Sequence, residues 1–227
     1  MISVPAERYG VEQAVGRASI RRMKILWRAC FVVAAICMGI GGPQHPGGET
    51  MADMLANPIW FSAHAWVFVS FVAMLAGFIV FGQVHVVSPR MRWWLRVAVV
   101  VTALEAIEMA LHAVAYVDLQ NLLAGQPTPV LTTHLALATI IYPIFGVLMG
   151  AFIVVAGRER ALGSLWIAPL GVLGALAHGA AGLLVIGFGV AAASIGFPFI
   201  MLVMLWGLIA ALMPVRLPAA ASQTQSA

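Results

Sequence analysis

Charge is the scarcest property of this chain. Only 9% of its 227 residues are Asp, Glu, Lys or Arg, while 63% are hydrophobic. Soluble domains carry about a quarter charged residues and about half apolar ones. The shortage excludes a sizeable water-soluble domain. Alternation of apolar and polar residues is also missing, which excludes a transmembrane β-barrel. The apolar residues come instead in near-uncharged runs of about 20, the length that crosses a bilayer as a helix. In lipid such runs must satisfy their own backbone hydrogen bonds, so they are helices.

Other absences narrow the chemistry. Cysteine is limited to Cys30 and Cys37. Seven helical residues separate them by about 10 Å, beyond disulfide reach, so they read as small packing residues. The sequence holds no phosphate-binding glycine loop, no GxSxG, no CxxC and no CxxCH, which argues against ATP-driven transport by this chain alone and against covalent haem. Pro143 and Pro198 lie well inside predicted spans and Pro169 near the start of the fifth, so the paired broken helices of a transporter repeat are not evident.

What is present is a set of six apolar runs. They predict helices over about Ile25–Gly42, Trp60–Gln83, Leu95–Tyr116, Val130–Ala156, Leu165–Ile186 and Ala191–Met213, the last broken by Pro198. The expected architecture is an all-α bundle of six transmembrane helices spanning 25–216. A basic leader (1–24) precedes it and a short polar tail (217–227) follows. A basic start before an apolar run also fits a signal peptide, but the leader is long and no clean small-x-small site follows, which favours a retained helix.

The cations orient the bundle. With the N-terminus inside, all 12 Lys and Arg fall on the inner side. They are the basic leader with Arg8, Arg17, Arg21, Arg22 and Lys24, then Arg28, Arg90, Arg92, Arg96, Arg158, Arg160 and Arg216. The outer loops hold His45, Glu49, Asp53 and Asp118 and no Lys or Arg. This is the positive-inside pattern. It puts both termini in the cytoplasm and accounts for the basic balance without nucleic acid. Trp27, Trp93, Trp94 and Trp166 fall at the inner interface and Trp60 at the outer one, as in an aromatic belt.

Ionisable groups within spans are costly, and each is a functional candidate. His64, His112, His134 and His178 lie on four successive predicted helices, each in the outer half. Glu105, Glu108 and His112, at i, i+3 and i+7, fall within about 60° of one another on one helical stripe. No Lys or Arg lies at that depth, so the carboxylates can find charge only in histidines or a bound metal. Two cofactors suit this set. Haem b takes imidazoles axially; a transition metal takes imidazole and carboxylate. His64, His112, His134 and His178 are the candidate ligands, with Glu108 ligating or orienting and Glu105 a proton relay. Gly171, Gly174, Ala175, Gly179 and Gly182 make a small-residue face that admits either a flat porphyrin or a close neighbouring helix. His45 reads as a solvated loop residue able to cap the site, and His85 as an inner-interface residue.

The same residues also fit a proton, ion or small-solute pathway, or the polar packing of an accessory subunit that meets a membrane partner or a second copy of itself. The stretch HPGGETMADMLANPIWFSAHAWVFVSFVAMLAGFIVFG (45–82) resembles the first loop and second helix of a family of small multi-span bacterial membrane proteins of uncharacterised function. The resemblance implies a bacterial inner membrane. The four-histidine outline is similar to membrane b-type cytochromes and to haem A synthase, though this chain is shorter than the synthase and lacks its doubled helix set.

Overall fold

The structure, a computed structural model, describes residues 6–215, with side chains from Arg21 onward. Arg216, the tail 217–227, residues 1–5 and the side chains of Arg8 and Arg17 lie outside the described residues. Among the described residues the chain is all-helical. Its helices are α1 (Ala6–Gly41), α2 (Met51–Leu55), α3 (Trp60–Val84), α4 (Pro89–Val114), α5 (Leu119–Leu123), α6 (Pro129–Arg158), α7 (Ala168–Gly182) and α8 (Ile200–Leu212). Six segments are long and apolar enough to cross a membrane, so this is a multi-pass membrane protein: Arg21–Gln44, Trp60–Val84, Pro89–Leu123, Pro129–Arg158, Ala168–Gly187 and Ala191–Leu212.

Helix boundaries differ from the hydropathy pattern where capping, not lipid, decides. α1 runs back to Ala6, through the basic leader; the apolar run marks the span and not the helix end. The sequence reading leaves SPRMRWW (88–94) as a loop before a helix from Leu95, but these residues form the cap and opening turns of α4. Ser88 Oγ accepts from the Met91 N–H at 3.0 Å, and Pro89 takes the first turn, where its missing N–H is harmless. Between the first two spans, Thr50 and Asp53 form a capping box that starts α2. α7 relaxes into a π turn at Leu183–Gly187, and the sixth span opens as a 3-10 segment, Ala191–Phe199, carrying Pro198.

Each span packs on its neighbours in sequence, and α8 closes back on α1, giving a ring of six. One half of the bundle is filled by Trp27, Phe31, Phe71, Phe78, Phe81, Phe145, Phe152 and Trp206, set edge to face in pairs such as Phe78–Phe152 at 5.2 Å. Lipid is as apolar as these side chains, so close packing rather than water exclusion holds the spans together. Trp27 and Trp60 are therefore core residues, 1% and 2% exposed, and not belt residues; Trp93 and Trp166 stay exposed. Glycine allows the closest approach. A Cβ on Gly179 would stand 2.7 Å from the Tyr142 carbonyl, and one on Gly182 would strike the Tyr142 ring. Gly171 and Gly174 face α8 in the same way. The small-residue face is thus filled by the neighbouring helices α6 and α8.

Candidate metal centre

The polar half of the bundle begins with the first turns of α3. His64 follows Trp60 by four residues, and its Nδ1–H donates to the Trp60 carbonyl at 2.7 Å. That bond fixes the tautomer and leaves Nε2 as a lone pair. Nε2 is buried with no hydrogen-bond partner among the described residues. The Trp60 indole donates to the His112 carbonyl at 3.1 Å, pinning α3 to the last turn of α4. The His112 ring then stacks on His64 at 4.1 Å between centroids, and the His134 ring lies tilted against His112 at 4.1 Å. His134 sits near the start of α6. Its Nδ1 touches Glu108 Oε1, one turn before His112 on α4, outside hydrogen-bond geometry.

His45 completes this group from the loop. α1 approaches α3 so closely at Gly41 that a Cβ there would stand 2.5 Å from the Ala63 carbonyl. The 3-10 turn Gly42–Gln44 follows at once and delivers His45 beside His64, centroids 4.7 Å apart. Its Nδ1 hydrogen bonds the Pro46 carbonyl at 3.1 Å. Burial of the ring against this cluster holds its pKa below the ordinary value, while the Pro46 bond pulls the other way. The residue as a whole is exposed.

Two sets of ligand atoms result. His45, His64 and His112 form one, and Glu108, His112 and His134 the other; within each, the ligand atoms lie within 4.8 Å of one another. Tetrahedral ligands about 2.0 Å from an ion stand roughly 3.3 Å apart, so small side-chain rotations close either set. His64 Nε2, His112 Nδ1, His134 Nδ1 and both Glu108 oxygens are buried without hydrogen bonds. Orphaned buried polar atoms are expensive, and here they converge. The donor set, neutral imidazoles with one carboxylate, suits zinc, copper or iron.

The remaining two predicted residues lie apart. His178 Nε2 pairs with Glu105 Oε1 at 2.8 Å, and the Tyr142 ring covers His178 at 4.6 Å. His178 therefore stands outside both triads, in a box with Phe145 and Phe197. Glu105 and Glu108 are 0% exposed, and the Lys and Arg side chains described lie towards the opposite ends of the spans. Thr102, one turn from Glu105, carries another orphaned buried hydroxyl.

Two contributors lie beyond the sequence reading, which places Trp60 in the interfacial belt and Asp118 in a loop. His45, read as a solvated loop residue able to cap the site, is exposed and lies beside His64. Asp118 is 3% exposed and its Oδ2 accepts from the Leu131 N–H at 2.9 Å, capping α6. This folds the 115–128 segment over the site, where Leu55, Trp60, Ala115 and Leu131 form a small apolar lid. The Trp60/His64 spacing of one turn was the available signal. No protein-family model, curated protein or solved structure matches this chain.

Proposed function

We propose that this protein binds one transition-metal ion through Glu108, His112 and His134, with His64 beside them, and uses it for electron transfer or redox chemistry in a bacterial inner membrane. The observation that carries the reading is the convergence, from three helices, of the buried His64 Nε2, His112 Nδ1 and the His134–Glu108 pair. The positive-inside asymmetry supports both termini in the cytoplasm and the site in the outer half. Haem b fits less well than an ion. Axial imidazoles take opposite faces of a porphyrin, whereas the His64 and His134 rings each lie 4.1 Å from the His112 ring, too close to admit a porphyrin between them. A bound ion offsets the buried Glu108 charge, which no described Lys or Arg side chain reaches. Copper or iron supplies the electron chemistry; zinc at the same ligands makes the site structural or hydrolytic.

The test is metal analysis of the detergent-purified protein, with absorbance and EPR spectra before and after dithionite. The reading predicts about one copper or iron per chain, lost from His112→Ala and His134→Ala. A Soret band replaces the ion by haem, and a colourless, metal-free protein from metal-supplied cells rejects both. A second reading, a proton or cation pathway, is favoured by the Glu105–His178 pair, which continues the polar line beyond the triads. It predicts liposomal proton flux that fails with Glu105→Gln.

A further inference from the structure

The two ligand sets share one residue. His112 belongs to both triads and lies against His64 and His134, with both ring centroids 4.1 Å away. We propose that the triads are two stations for a single divalent ion, an entry station at His45, His64 and His112 and a resident station at Glu108, His112 and His134. The inference rests on the metal-binding reading above and adds the route by which the ion arrives.

Burial gives the direction. His45 is exposed on its loop, His64 and His134 are 2% and 3% exposed, and Glu108 is 0%. An ion arriving from the loop side therefore meets His45 first. The hydrogen bonds of that station prepare it to coordinate. His64 Nδ1 donates to the Trp60 carbonyl and His45 Nδ1 to the Pro46 carbonyl, so each turns Nε2 to the ion as a lone pair.

Charge gives the driving force. The entry station is three neutral imidazoles and leaves both ionic charges uncompensated in a medium of low dielectric. The resident station adds the Glu108 carboxylate, whose attraction for a dication is far stronger there than in water. The ion thus binds loosely where it enters and tightly where it rests. Transfer is ligand exchange alone: the nitrogens of His45 and His64 leave, those of His134 and the Glu108 oxygen join, and His112 remains bound. No electron moves. At no point does the ion cross the apolar lid bare, which would carry the large cost of an unpaired buried charge.

The experiment uses Co²⁺ added to the metal-free full-length protein in detergent, followed by stopped-flow absorbance. Wild type is expected to bind one Co²⁺ in two phases. The first is fast and proportional to Co²⁺ concentration; the second is concentration-independent and gives the final spectrum. His45→Ala, a change on an exposed loop, should slow the first phase at least the roughly tenfold that even loss of an orienting group costs a metal site. Its final spectrum and stoichiometry should match wild type. Glu108→Gln should halt at the first-phase spectrum, and Glu108→Asp should regain the second phase in part. Loading of His45→Ala at the wild-type rate, an altered final spectrum in that variant, or two Co²⁺ per wild-type chain would each overturn the two-station route while leaving metal binding intact. Absence of any Co²⁺ uptake by wild type overturns the metal reading itself.

Discussion

Glu108 and Glu105 sit three residues apart on one face of α4 and are equally buried, yet they meet different partners. Glu108 meets His134 and the shared His112; Glu105 meets His178. Glu108→Gln removes the one anionic ligand and should weaken metal binding about 10- to 100-fold or more, measured by competition with a chromogenic chelator. Glu105→Gln should leave the metal stoichiometry unchanged. It should nonetheless destabilise the fold by about 1–3 kcal/mol, the cost of a buried donor or acceptor left unpaired, read as a shift in the denaturation midpoint. Equal loss of metal from both variants would contradict the separation of the two pairs. At the other end of the bundle, His85 packs on Trp27 and Phe81. Burial, and then the charges of Lys24 and Arg28, hold its pKa below the ordinary value. The folded state therefore binds the proton less readily than the unfolded one. This contribution is intact above about pH 6.5, the unfolded histidine value, and is lost as pH falls through it. Thermal melts between pH 7.5 and 5.5 should show a shallower decline for His85→Gln than for wild type.

Elements show where the sequence could be read and where it could not. Six apolar runs gave six spans because lipid imposes a length and forbids charge, and Pro198 marked the change of helix type in the sixth. Caps were also written in the sequence, as Ser88-Pro89 and as Thr50 followed at i+3 by Asp53, but hydropathy overrides them and turned the start of α4 into a loop. Rotation of each helix about its axis was not legible. Depth placed His64, His112, His134 and His178 at one level, yet only the packing of α6 on α7 decides that His178 faces Glu105. That packing rests on Gly179 and Gly182 against Tyr142. Gly179→Ala puts a Cβ against a backbone carbonyl that cannot move aside, and should cost about 1–3 kcal/mol, measured by unfolding in mixed micelles. A neutral effect would mean that α6 and α7 can separate without loss.

The whole molecule divides its interior by depth. Edge-to-face aromatics fill one half and buried ionisable groups the other, with α2, α5 and the loops around them closing the polar end. On the proposed reading, an ion held by several helices beneath this lid offsets the Glu108 charge, which no described Lys or Arg side chain reaches. Convergence of ligands from α3, α4 and α6 requires the ring to be assembled, so metal should raise the stability of the folded state by mass action. Adding a chelator should lower the unfolding temperature of wild type and leave Glu108→Gln nearly unchanged.

His112 is the residue on which both triads depend, and it decides the central claim. The measurement is the metal content of wild type and His112→Ala, purified in parallel from cells supplied with copper, iron and zinc, with gel filtration to verify that each is folded. The account predicts about one ion per wild-type chain and almost none in the variant at equal elution volume. A folded His112→Ala protein that keeps its ion, or a wild type that holds none, would contradict it.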